Sequence, residues 1–126
     1  MSRFALAVIA FFVFASGLLS EDVKDAGAYL DRALILKAAG EISQATYPDA
    51  DMVLLDDYEA VVYNADGTNV TCDESYVKVL NEKGRRENQS ATVRMNTSYE
   101  KTEFKAVEII KPDGRSVPVD IGTMAK

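Results

Sequence analysis

Three short turn sequences cut the second half of the chain into strand-length pieces: Asn64-Ala65-Asp66-Gly67, Asn81-Glu82-Lys83-Gly84 and Lys111-Pro112-Asp113-Gly114. In the first, Asn opens and Gly closes a type I turn; in the third, proline and glycine stand where such a turn wants them. The pieces between are β-branched and aromatic. Residues 52–55 and 58–63 are expected as one strand or two short ones. Residues 69–80 form the next, with Val77 and Val79 on one face and Tyr76, Lys78 and Leu80 on the other. The polar run 85–90 is expected as a solvated connection or strand edge. Val93 and Met95 mark a further strand, and residues 104–110 another, in which Val107 and Ile109 lie opposite Ala106, Glu108 and Ile110. Residues 117–121 return as a strand that Pro118 confines to an edge or a bulge. About five or six strands with hairpin-length connections imply a mainly β fold built on an antiparallel sheet.

Ahead of the strands, residues 21–45 are good helix formers, and Leu30, Leu34, Ala38 and Ile42 recur every four positions. This predicts one amphipathic helix, weakened by Gly27 and Gly40 and ended by Tyr47-Pro48-Asp49, since the residue before a proline is pushed out of the helical region. Its polar face mixes acids and bases, which favours packing on its own domain over an anionic membrane. Further upstream, Arg3 and the apolar run at residues 4–15 read as a secretory signal peptide, with cleavage after Gly17 preferred and after Ser20 second. The run is shorter than the ~20 residues a spanning helix needs, and Glu21 and Asp22 follow it at once, so cleavage is favoured over an uncleaved membrane anchor. The expected organisation is a signal peptide at 1–20, a helical lead-in at 21–46 and a β-rich domain at 47–126. About 105 residues then remain, enough for one small domain with a single core.

Composition removes whole classes of chemistry. There is no histidine, so neither Cys72 nor any serine has an imidazole base, and histidine-containing metal sites are excluded. A single cysteine forms no internal disulfide, and Asp73 and Glu74 beside Cys72 oppose thiolate formation; a partly buried structural thiol is expected. Carboxylate-only acid/base catalysis stays formally open, but no spacing singles out a pair. The chain by itself is therefore not expected to be an enzyme. A net charge of -6 repels phosphate backbones and makes nucleic acid a poor partner. The acidic cluster of Asp49, Asp51, Asp56 and Asp57 lacks the alternating oxygen ligands and central glycine of an EF-hand loop and reads as a solvated strand entry. Lys83, Arg85 and Arg86, the basic patch, read as a soluble hairpin tip. Asn69, Asn88 and Asn96 each open an N-glycosylation sequon, whose use depends on a eukaryotic secretory host.

Four blocks, taken together, carry a family resemblance. They are Tyr47-Pro48-Asp49-Ala50-Asp51-Met52-Val53-Leu54-Leu55-Asp56-Asp57-Tyr58-Glu59, then Asp66-Gly67-Thr68, then Val77-Lys78-Val79-Leu80-Asn81-Glu82-Lys83-Gly84-Arg85, then Ile109-Ile110-Lys111-Pro112-Asp113-Gly114. In order and spacing, over residues 45–119, they resemble the domain of unknown function on the N-terminal side of bacterial transglutaminase-like proteins. The resemblance implies an exported protein whose β-sandwich-like N-terminal domain precedes a papain-like core with a Cys-His-Asp triad. That core is not in this chain, and the resemblance covers the first half of the accessory domain, so a truncated domain is expected. Cys72 matches no catalytic motif, and no catalytic, cofactor-binding or metal-binding residue is carried over. The implied role is an exported, non-catalytic accessory or interaction module, secreted or periplasmic. The alternatives are the N-terminal fragment of a cysteine acyltransferase or peptidase, and a signal-anchored surface protein. A protein partner or downstream catalytic domain is the expected contact, with no nucleic acid, no cofactor and no membrane after signal removal. An incomplete sheet would also leave Val93, Met95, Val107 and Ile109 short of apolar partners and prone to self-association.

Overall fold

The computed structural model describes residues 8–16, 29–90 and 98–120. Their elements in chain order are β1 (Val8–Ser16), α1 (Arg32–Glu41), β2 (Met52–Tyr63), β3 (Asn69–Val79), α2 (Glu82–Glu87), β4 (Thr102–Ile110) and β5 (Ser116–Pro118). The expected class is the one found: mainly β, with every described pairing antiparallel. The five strands form one sheet in the order β2-β3-β1-β4-β5, and α1 packs on one of its faces.

Two hairpins carry the turn chemistry. Asn64 to Gly67 joins β2 to β3, closed by the Gly67 N–H donating to the Asn64 carbonyl at 3.1 Å, with Gly67 at φ 87° where a side chain would be strained. Lys111 to Gly114 joins β4 to β5 in the same way, its Gly114 N–H reaching the Lys111 carbonyl at 2.9 Å. Pro118 sits in β5, the edge strand, where its missing N–H costs no ladder bond. Residues 52–63 make one strand rather than two, and a bulge between Leu54 and Asp56 explains why the sequence suggested a break. The extra residue, Leu55, turns into the core while Leu54 stays 55% exposed.

Three expectations are corrected. The second turn tetrad, at Asn81 to Gly84, opens a short helix instead of a hairpin: the Asn81 side chain accepts from the Gly84 N–H at 2.9 Å, a helix cap, and α2 runs on through residues expected to be solvated connection. Helix α1 begins at Arg32, capped by Asp31, so Tyr29 and Leu30 precede it. Its buried stripe is Ile35 and Ala39, one residue on from the expected Leu34 and Ala38, which are exposed. Leu30 still reaches the core, but from the lead-in rather than along the helix, which is why a four-residue repeat starting at Leu30 gave the wrong phase. The strand expected at Val93 and Met95 lies outside the described residues.

Residues expected as the apolar core of a signal peptide supply the central strand of the intact chain. β1 pairs with β3 from Val8↔Lys78 to Ser16↔Val70, and with β4 from Val8↔Ile110 to Ala15↔Thr102. Its phenylalanines and β-branched residues suit a pleated strand as well as they suit a leader. A chain cut after Gly17 would lack it. Among the described residues, no helix is long and apolar enough to cross a membrane.

The core lies between α1 and the sheet. Ile35 and Ala39 from the helix meet Tyr76 of β3 and Ile110 of β4, with Leu30, Leu36, Leu55 and Ala106 packed around them. Burying such side chains contributes roughly 1.5–3 kcal/mol each. On the opposite face α2 covers the Val79 end, where Gly84 lies against buried Val79 and Asn88 donates to the Met52 sulfur at 3.0 Å, and Leu54, Val61 and Tyr63 are exposed.

Candidate functional site

The face of β3 beneath α1 alternates as a buried strand should, yet two of its inward residues are charged. Val70, Cys72, Glu74, Tyr76 and Lys78 are all buried, Glu74 to 1% and Lys78 to 4% of full exposure. Each charge meets one end of the helix. Glu74 accepts from the backbone N–H groups of Tyr29 and Leu30, at 3.2 and 3.3 Å, where the chain enters the helix. Lys78 donates through Nζ to the carbonyls of Ala39 and Ile42, where the helix ends. A helix carries partial positive charge at its start and partial negative charge at its end, so both placements are favourable. Burial lowers the Lys78 ammonium below its usual range, which marks the desolvation that these carbonyls offset. Sequence reading missed this pair because a charged residue in a strand normally signals the solvent face.

A second charged contact fixes the rotation of α1 on the sheet. Arg32 Nε donates to Glu108 Oε1 at 3.0 Å, and Ser116 donates to the other carboxylate oxygen, linking α1, β4 and the strand beyond it. Burial pushes the Glu108 carboxyl up, but the bonds from Arg32 and Ser116 outweigh it and hold the group below the usual range. Tyr29 stacks on Tyr58 of β2 with ring centroids 4.9 Å apart, tying the lead-in to the other side of the sheet.

The residues singled out from sequence are dispersed. Cys72 is 1% exposed, and its thiol is pushed up to about 11, first by burial and then by Asp73 and Glu74. Asp51 is a structural clip: its side chain accepts from Asn81 at 2.8 Å and from Lys83, and its carbonyl accepts from the Leu80 N–H at 2.9 Å. Its carboxyl is held below the usual range by the Lys83 and then the Asn81 hydrogen bond. Asp56 bonds the N–H of Asp57 at the bulge, so the acids near 49–57 serve separate local ends. Among the described residues, no group of three or more His, Cys, Asp or Glu could hold a metal ion. The basic patch is matched within α2 and its neighbour: Lys83 pairs with Asp51 and Glu87, Arg85 with Glu82 at 2.5 Å, and Arg86 with Glu82 at 3.6 Å. Asn69 is exposed at the start of β3, whereas Asn88 caps α2 by donating to the Gly84 carbonyl at 2.8 Å; Asn96 lies outside the described residues.

What the structure does bring together is an apolar surface. On the face opposite α1, β2 presents Met52 (45% exposed), Leu54 (55%), Val61 (38%) and Tyr63 (76%), in register with Val79, Val77, Thr71 and Asn69 of β3. Val117, across from Ile109, continues the face at the far edge and is also exposed. Half-buried Val107 and Ile109 lie between, on the same face. The patch is interrupted by Asp57, Glu59 and Asp73, and burial together with Glu59 raises the Asp73 carboxyl. An exposed apolar patch of this kind is the usual mark of an interaction surface.

Comparison with known proteins bears on the second half of the chain, beyond β2. No curated protein and no solved structure matches it. Residues 65–125, from the β2–β3 turn through β5, match the family model described as Domain of Unknown Function with solved-structure structure (DUF3857), and over that stretch the chain is similar to that domain.

Proposed function

We propose that this chain is an exported, non-catalytic interaction module that docks a protein partner through the sheet face opposite α1. The carrying observation is the group of large apolar residues exposed together on one strand there, Met52, Leu54, Val61 and Tyr63 of β2. A partner of matching apolar character gains most from covering them, and the acids Asp57 and Glu59 between Leu54 and Val61 call for a polar or basic group at the centre of the contact. The four-block resemblance supports a narrower version, in which the partner is the catalytic domain of a transglutaminase-like protein. Export, to the periplasm or the medium, is supported by Arg3 and the apolar run after it.

The test is a binding titration between this chain and the catalytic domain of a transglutaminase-like protein from the same genome. A Leu54→Asp/Val61→Asp double variant should weaken binding at least tenfold, about 1.4 kcal/mol, while keeping the parent's circular dichroism. No binding by the parent, or equal binding by the variant, would refute this docking face.

A further inference from the structure

β2 stands at one end of the strand order, so one of its long sides has no described strand beside it. The edge at the other end, β5, is three residues long and contains Pro118, which blunts it. β2 runs for 12 residues without a proline, and Asp56, Asp57, Tyr58 and Glu59 in its middle are exposed in succession, on both faces. We propose that this edge takes an extended basic segment of a protein partner as a further strand, antiparallel to β2, with apolar residues beside Tyr63 and Val61 and lysine or arginine beside Glu59 and Asp57. The edge is a different surface from the sheet face of the docking reading above, and the pairing does not depend on that reading.

The backbone decides which groups are open. The Asn64 N–H donates to the Thr68 carbonyl at 2.8 Å, so Asn64 turns its polar groups toward the β3 side. Such residues alternate along an antiparallel pair: Val62, Ala60 and Tyr58 also turn toward β3, while Tyr63, Val61, Glu59 and Asp57 turn outward. Asp57 agrees from further along the strand, since its N–H donates to the Asp56 side chain at 3.0 Å and not into the ladder. The outward groups of Glu59, Val61 and Tyr63 meet no other described strand. A strand added here makes the same paired N–H···O bonds that join β2 to β3, a common way for an open sheet edge to bind a peptide.

Charge selects the occupant. Asp57 and Glu59 share the open face with Asp73, which stands directly across from Glu59. Burial and then Glu59 raise the Asp73 carboxyl, and an ammonium or guanidinium beside the two acids relieves their repulsion. Opposite charges at directly paired positions stabilise a sheet, and like charges there destabilise it. An acidic segment is therefore refused, and so is a second β2 laid with its acids against these. Beyond the acids, Val61 and Tyr63 are exposed, and apolar side chains beside them remove that surface from water. From its N-terminus the segment reads apolar, any, apolar, any, basic, any, basic, because alternate residues share a face.

The test titrates the whole chain with the capped heptapeptide Val-Thr-Val-Thr-Lys-Thr-Lys and follows backbone amide chemical shifts. The shifts should concentrate at Glu59, Val61 and Tyr63. Two controls should each bind at least tenfold more weakly: the peptide with glutamate for both lysines, and the lysine peptide N-methylated at its third and fifth residues, which face Val61 and Glu59. Val61→Pro removes an outward N–H and no ladder bond, so it should keep the parent's circular dichroism and lose the peptide. Should that variant misfold, the N-methylated peptide decides alone. No shifts up to about 1 mM lysine peptide, equal binding of the glutamate peptide, or binding that survives N-methylation overturns the proposal. Concentration-dependent shifts of the same amides without peptide would give the edge to a second copy and overturn it as well. The catalytic domain takes no part in these titrations, so a failure of the face docking is read separately.

Discussion

Glu74 and Lys78 sit four residues apart on one face of β3 and hold opposite ends of the same helix, Glu74 through the N–H groups of Tyr29 and Leu30 and Lys78 through the carbonyls of Ala39 and Ile42. The spacing matches: four strand steps cover about 13 Å, and the ten residues of α1 rise about 15 Å. The helix therefore runs in the same sense as β3, and its position on the sheet is set at both ends by buried charge as well as by the apolar contacts of Ile35 and Ala39 between them.

Lys78→Met keeps most of the apolar stem and removes the ammonium, leaving the Ile42 carbonyl without this donor and the Ala39 carbonyl with the Ile42 N–H alone. An unmet buried acceptor costs about 1–3 kcal/mol, and that loss should exceed the relief of no longer burying a charge. Urea unfolding should show a lower midpoint, with α1 amides exchanging faster. An unchanged midpoint would mean that the two effects cancel.

Gly84 cannot be enlarged. A Cβ built there would lie 2.1 Å from the Asp51 carbonyl oxygen, which belongs to backbone and cannot swing aside. Gly84→Ala should therefore force β2 and α2 apart and cost at least the ~1–3 kcal/mol typical of overpacking. Asn81→Ala, which removes the cap on the same helix and one bond to Asp51, should cost about 1 kcal/mol. Thermal unfolding of both variants beside the parent checks the order.

Acid should destabilise the fold through Glu108 and Asp51. Both carboxyls are held below their usual range, so each contributes stability above the ordinary carboxylate value near ~4 and loses it as pH falls through its lower folded value. Asp73 has the opposite sign: burial first, and then the neighbouring Glu59, raise its carboxyl, so the folded state takes up this proton early. Denaturation midpoints between pH 7 and pH 2 should fall less steeply in Glu108→Gln than in the parent, and Asp73→Asn should be more stable than the parent at pH 7. A Glu108→Gln profile parallel to the parent's would remove that group from the account.

Cys72 should be slow to label. Buried to 1% exposure and with its thiol pushed up to about 11, it has almost no thiolate at neutral pH. Iodoacetamide at pH 8 should modify the native chain orders of magnitude more slowly than the chain in urea, and Cys72→Ala should retain partner binding. Rapid labelling of native protein would contradict the packing described here.

The sequence alone determined the local pieces whose chemistry is local. Asn64 to Gly67 and Lys111 to Gly114 fold as the turns their residues require, because a glycine at positive φ and a pre-set proline act within four residues. Pro118 was placed at an edge by its missing N–H, and the antiparallel, mainly β class followed from short connections. Tertiary structure decided the rest. Asn81 could open a turn or cap a helix with the same side chain, and the contact with Asp51 coincides with the second choice. Leu34 and Ile35 are equally apolar neighbours, and only the helix start at Arg32 and its anchoring at Glu108, Glu74 and Lys78 determine which one faces the sheet. The two charges on β3 look like solvent-facing residues until a helix covers them, because a buried charge is tolerated only where distant parts of the chain supply its hydrogen bonds.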